Sequence, residues 1–107
     1  MMSEQVRASH ILLMYAGSAR STASRSKDEA LTQIQDLKTQ IDNGADFAEI
    51  AQANSDCPSG RQGGDLGFFG RGMMVPEFDQ AAFNMEVGTV SDVVETDFGY
   101  HILQRTA

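Results

Sequence analysis

The sequence predicts an α+β fold: a small, mostly antiparallel sheet with helices packed around it. Three observations carry that expectation. The apolar pattern runs strand, helix, helix, strand, helix, strand, strand along 107 residues. The chain closes on a hairpin signal, with Asp97-Phe98-Gly99 between two β-rich runs. Between the helices lies the stretch Ser55 to Phe83, which holds six of the ten glycines and both prolines. It is too broken for one helix. With Leu66, Phe68, Phe69, Met73, Met74, Val75, Phe78 and Phe83, it is also too apolar for a disordered linker. Permissive backbone interleaved with large apolar side chains indicates a shaped pocket that main chain approaches closely.

Val6 to Met14 reads as the first strand, continuously apolar around Ser9 and His10, as a strand covered on both faces would be. AGSARSTASRS, residues 16 to 26, is small and polar and reads as a loop. Ser26-Lys27-Asp28-Glu29 fits a capping box, and Leu31, Ile34, Leu37 and Ile41 follow at helical spacing up to Gly44. Asp46 caps a shorter helix with Phe47, Ile50 and Ala51 inward, ending near Asn54. Asp65 to Phe69 is a short strand after the Gly63-Gly64 turn. Pro76 opens a further helix, carrying Phe78, Ala82 and Phe83 to Gly88. Thr89 to Thr96 and Tyr100 to Thr106 form the closing hairpin.

Length and composition fit one domain over residues 1–107, with its core over about 6–106. The longest apolar run, Ile11 to Ala16, is far below the roughly 20 residues of a membrane span, so no membrane partner is expected. The start, MMSEQVRASH, is charged where a signal peptide would be apolar, and Cys57 is the single cysteine; a cytoplasmic address and no internal disulfide are expected. The net charge of −7 argues against nucleic-acid binding. A monomer is the expected state. The charge is uneven, because no acid falls between Glu4 and Asp28 while Arg7, Arg20, Arg25 and Lys27 do. That basic segment reads either as a solvated loop or as an anion site, with Arg20 and Arg25 as its candidate residues.

Few polar side chains are placed for chemistry. His10 falls in the first strand and His101 in the last, and first and last strands of small sheets are often neighbours. Thr96 lies one hairpin away, and Cys57 sits in the loop leading to the pocket stretch. Three readings stand: a Cys/His nucleophilic hydrolase, a zinc site from Cys57, His10 and His101, or two buried histidines hydrogen-bonded to each other and to Thr96 beside an inert thiol.

Six blocks, in order, resemble the parvulin-type peptidyl-prolyl isomerases over nearly the whole chain. They are Ala8-Ser9-His10-Ile11-Leu12-Leu13, Asp46-Phe47-Ala48-Glu49-Ile50-Ala51, Ser55-Asp56-Cys57, Gly63-Gly64-Asp65-Leu66-Gly67-Phe68-Phe69, Arg71-Gly72-Met73-Met74 with Pro76-Glu77-Phe78, and Thr96-Asp97-Phe98-Gly99-Tyr100-His101-Ile102. The resemblance implies a four-stranded sheet surrounded by about four helices, and catalysis of cis/trans rotation about Xaa-Pro bonds in peptides and in flexible or unfolded proteins. It implies His10, Cys57, Thr96 and His101 as the catalytic set. It further implies Leu66, Met74 and Phe78 as a proline pocket, Phe69 as its wall and Ser59 along the cleft. Rotation breaks no bond, so no metal, cofactor or covalent intermediate is expected. The branch that prefers phosphorylated residues before proline carries a basic cluster after its first strand. This chain departs from it, with Met14 in place of a lysine and with Arg20 and Arg25 separated. A non-catalytic proline-peptide-binding or chaperone module is the alternative function.

Overall fold

The computed structural model describes residues 5–19 and 21–107. The elements run β1 (Gln5–Leu13), α1 (Lys27–Asp42), α2 (Phe47–Asn54), β2 (Asp65–Gly70), α3 (Pro76–Asn84), β3 (Val94–Thr96) and β4 (Gly99–Arg105). Among the described residues there are three α-helices. The fourth helical segment is only a 3₁₀ turn, Pro58–Gln62, stopped by left-handed Gly63. The four strands form one sheet in the order β2-β1-β4-β3, antiparallel throughout. The fold is α+β, as the apolar pattern predicts. No helix among the described residues is long and apolar enough to cross a membrane.

Central β1 is buried continuously from Ala8 to Leu13 because both faces of the sheet are covered. On one face Ile11, Leu13, Tyr100 and Ile102 pack with Ala30, Ile34 and Leu37 of α1 and with Phe47 and Ala51 of α2. On the other, Val6, Ala8, Phe69 and Leu103 pack with Phe78, Ala82 and Phe83 of α3. Strand alternation therefore puts His10 and His101 on the α3 face. Both helix caps form as their residues dictate. Ser26 and Glu29 close a reciprocal capping box on α1, and Asp46 accepts from the Glu49 N–H at the start of α2.

Two boundaries differ from the sequence expectation. α3 ends at Asn84, short of Gly88, because Met85 is already extended. β3 is three residues long where eight were expected. Its first half runs beside β4 with a single bridge, Val90 to Gln104. There the Ser91 hydroxyl accepts the Leu103 N–H at 3.0 Å, so a side chain stands where a ladder carbonyl would be.

The β1–β2 pairing carries a bulge that shapes the site. Leu66 and Gly67 together oppose Ala8, and Gly67 has φ +72°. Asp65 holds the bulge, accepting from the Gly67 N–H at 3.0 Å and from the Arg7 guanidinium through both oxygens. The bulge packs Leu66 against the α3 cluster. Gly64, at φ +85°, gives its carbonyl to the His10 N–H at 2.9 Å, and a Cβ there would overlap the His10 carbonyl.

Candidate active site

β1 and β4 pair with His10 opposite Leu103 and Leu12 opposite His101, so the two histidines are diagonal neighbours on the α3 face. Their Nδ1 atoms are 3.1 Å apart and the rings stack at 5.3 Å. Thr96, at the end of β3, sets its Oγ1 2.7 Å from His101 Nε2, and the same oxygen accepts the Phe98 N–H at 3.2 Å. One proton lies between the two Nδ1 atoms, so Thr96, His101 and His10 form one hydrogen-bonded chain in which the direction of the Thr96–His101 bond and the tautomers of both rings are coupled. His10 Nε2 is buried and has no partner among the described residues.

Burial lowers the pKa of His10 to about 4. It lowers that of His101 to about 3, with the neighbouring His10 adding to the effect. Both rings are therefore neutral at pH 7, as the single proton between the two Nδ1 atoms requires.

Phe78 of α3 stands edge-on to both imidazoles, at 5.5 Å from His10 and 5.6 Å from His101. Leu66 and Met74 pack, partly exposed, against the same cluster. Phe69, expected as a pocket wall, is 1% exposed and lies behind Phe78 at 6.0 Å. It is a member of the buried α3-face cluster. The neighbouring Phe68 is 58% exposed and faces the other way, toward the Arg7 guanidinium.

Cys57 is partly exposed on the loop after α2. That loop is sewn to β1: the Asp56 N–H donates to the Leu12 carbonyl at 2.7 Å, and Ser55 Oγ accepts the Leu12 N–H at 3.1 Å. The Ser59 hydroxyl donates to the Cys57 sulfur at 3.1 Å. Three of the four histidine ring nitrogens bond to each other or to Thr96, the fourth, His10 Nε2, has no partner among the described residues, and Cys57 Sγ is bonded to Ser59, so the Cys/His hydrogen bond that a hydrolase needs is not formed. Among the described residues no three His, Cys, Asp or Glu side chains converge to hold a metal ion.

The chain matches the model of the PPIC-type PPIase domain over residues 1–107. The chain belongs to the PPIC-type peptidyl-prolyl isomerase family. It is 42% identical to a peptidyl-prolyl cis-trans isomerase Pin1 of Digitalis lanata, over 99% of each chain. It is 46% identical to the foldase protein PrsA of a Geobacillus species, over 95% of this chain and 32% of that protein. Among solved structures, the peptidyl-prolyl isomerase ESS1 of Candida albicans aligns with a TM-score of 0.90 at 41% identity, over 96% of this chain and 63% of that one. The activity class is accordingly peptidyl-prolyl cis/trans isomerisation.

Within this isomerase the basic loop is arranged differently from the expectation. Arg25 is not a free cation: its Nη1 donates to Asp56 Oδ2 and to the Met14 carbonyl. Asp56 Oδ2 also accepts the Met14 N–H at 2.9 Å. Arg20 lies outside the described residues. The glycine turn offers fewer donors than its composition suggests. The N–H groups of Gly63, Gly64 and Gly67 are already bonded to Gly60, Ser59 and Asp65. Sequence reasoning missed Ser55 and Asp56 as anchors of the Cys57 loop. Two short polar acceptors directly after a helix were the available signal.

Proposed function

We propose that this isomerase acts on Xaa-Pro bonds in peptides and in flexible or unfolded proteins, as a single catalytic unit and a monomer, without a covalent intermediate. The observation that carries the reading is the buried Thr96–His101–His10 chain under the edge of Phe78, beside Leu66 and Met74. Its polar members are hydrogen-bonded to one another and uncharged, and its apolar members border a partly exposed surface. Such a site suits a reaction that requires grip and polarity but no proton transfer.

The uncatalysed barrier is about 18–20 kcal/mol, because twisting removes amide resonance. A rate gain of roughly 10⁴-fold requires about 5.5 kcal/mol of preference for the twisted amide over the planar forms. Leu66 and Met74 hold the proline ring, with Phe78 as the floor, and the apolar surroundings disfavour the charge-separated planar amide. Ser59 donates to the Cys57 sulfur, which leaves the thiol proton to face the carbonyl as it rotates. The histidines hold the floor in place and turn over no proton.

An acidic or phosphorylated residue before proline would need a basic partner, and Arg25 would have to leave Asp56 to serve as one. Exchange NMR on matched Ala-Pro, Glu-Pro and phosphoserine-Pro peptides tests both levels. Accelerated cis/trans exchange of Ala-Pro is expected. Binding shifts with no acceleration of any peptide would replace catalysis with a proline-binding or chaperone role. Phosphoserine-Pro turnover far above Ala-Pro, lost in Arg20→Ala and Arg25→Ala, would assign the preference to the basic loop.

A further inference from the structure

The face of the sheet opposite His10 and His101 is covered unevenly. α1 and α2 pack over Ile11, Leu13, Tyr100 and Ile102. Beyond them the same face turns polar, where Ser9 of β1 lies between Asp65 of β2 and Gln104 of β4. A cavity of about 300 Å³ opens there, floored by Arg7, Ser9 and Gln104 and walled by Ala48 of α2 and Gln62 of the 3₁₀ turn. Ser9 is only 7% exposed, yet its hydroxyl has no hydrogen-bond partner among the described residues. A serine this buried ordinarily bonds within the protein. The carboxamides of Gln62 and Gln104 are likewise without a partner among the described residues. The charged side chains of the lining, Arg7 and Asp65, are bonded to each other. The bulge in β2 adds an apolar rim. It sets Asp65 opposite Ser9 and Phe68 opposite Arg7, so both stand on this face. Phe68 is 58% exposed, beside the Arg7 guanidinium.

We propose that this cavity and Phe68 together form a docking surface for an extended segment of a protein partner, with a glutamine or asparagine side chain in the cavity and an aliphatic side chain two residues away on Phe68. A hydroxyl and two carboxamides offer donors and acceptors side by side, which matches another carboxamide and leaves an ion unmatched. Arg7 and Asp65 already satisfy each other, so no charge is left over for an ionic group. The cavity holds about ten times the ~30 Å³ of one water, which is room for a side chain. Arg7 and Ser9 are alternate residues of β1, about 6.8 Å apart along the strand, the same rise as between alternate residues of an extended segment. One such segment therefore reaches the cavity and Phe68 together. An exposed aromatic ring beside an arginine is the composition that anchors protein interfaces. The surface lies across the sheet from Leu66 and Met74 and is independent of the role proposed for them.

The test is a titration of the protein with the proline-free peptide acetyl-Gln-Ala-Leu-Ala-amide, followed by two-dimensional amide NMR. Saturable shifts are expected at the N–H groups of Ser9, Gly63 and Gln104, with a dissociation constant on the order of 1 mM. Ser9→Ala, Gln62→Leu and Phe68→Ala are each expected to weaken binding roughly fivefold. The glutamate analogue acetyl-Glu-Ala-Leu-Ala-amide is expected to lose at least as much, because its carboxylate meets Asp65 and no free cation. Gln62 and Phe68 are exposed, so their variants fold, and cis/trans exchange of an Ala-Pro peptide is expected to stay within about twofold of the parent. Absence of saturable shifts, shifts centred on Leu66, Met74 and Phe78, or equal binding of the two peptides overturns the docking surface. So does binding untouched by Gln62→Leu and Phe68→Ala. Ala-Pro exchange that falls in parallel with peptide binding in these variants also overturns it, by assigning the loss to the fold as a whole.

Discussion

At the scale of single residues, the site divides into groups that touch the substrate and groups that keep those in place. Thr96 belongs to the second kind. Its hydroxyl is the last link in a hydrogen-bonded chain that couples two imidazole tautomers, all of it buried. Thr96→Val keeps the shape and removes the link, leaving His101 Nε2 without its partner. The expected loss is ~1–3 kcal/mol of stability, read by urea unfolding at pH 7.5. An unchanged stability would show that the tautomer chain does not depend on Thr96. Under the proposed mechanism Cys57 belongs to the first kind: its sulfur accepts from Ser59, no histidine bonds it, and its assigned role is a polar neighbour of the carbonyl. Cys57→Asp is therefore expected to keep kcat/KM within about tenfold of the parent. A fall of three orders of magnitude or more in a variant with a native circular dichroism spectrum would restore the nucleophile.

At the scale of elements, the glycine turn before β2 is the piece that ties the pocket to the histidine strand. Gly64 packs backbone to backbone on His10, at a φ that side chains disfavour. Gly64→Ala thus meets both strain and overlap and is expected to cost more than ~2 kcal/mol. Gly67→Ala has an equally unfavourable φ but open space around it, and is expected to cost only about 1 kcal/mol. Equal costs in the two variants, by thermal or urea unfolding, would mean that the contact with His10 is not tight. This element also shows what the sequence discloses. The packing of Leu66, Met74 and Phe78 into one cluster was legible in the stretch Ser55 to Phe83 because breakers and aromatics alternate there. The α1 and α2 caps were legible because Ser26, Glu29 and Asp46 act locally. The interruption of β3 was not, since it depends on the Ser91 hydroxyl meeting a strand 12 residues later. Nor was the neutralisation of Arg25, whose partner Asp56 is 31 residues away. Phe69 and Phe68 were distinguishable only once the bulge had set which face each takes.

At the scale of the whole molecule, the His10–His101–Thr96 chain and the stability of the fold share one titration. His10 and His101 are uncharged in the folded state, with pKa values of about 4 and about 3, because folding strips water from both rings. In the unfolded chain each returns to near 6.5. Their contribution to stability is thus complete well above pH 6.5 and is lost as the pH falls through that value toward 4, because the unfolded chain binds protons that the folded one refuses. Two such groups set a limiting slope of about 2.7 kcal/mol per pH unit. The carboxylates act in a separate range. Asp65, held low first by its hydrogen bond from Arg7, and Glu29, held low by the Ser26 backbone N–H, stabilise above their ordinary pKa values of 3.8 and 4.5 and lose that effect only as the pH falls through them. Urea unfolding at pH 7.5, 6.5, 5.5 and 5.0 therefore isolates the histidines. Stability is expected to fall by about 0.7 kcal/mol between the first two and by about 1.2 kcal/mol over the half unit between the last two, with kcat/KM unchanged wherever the folded form dominates. A flat profile down to pH 5.0 would mean that the rings take up protons in place. The single-proton chain through Thr96 would then not be the resting state of the site.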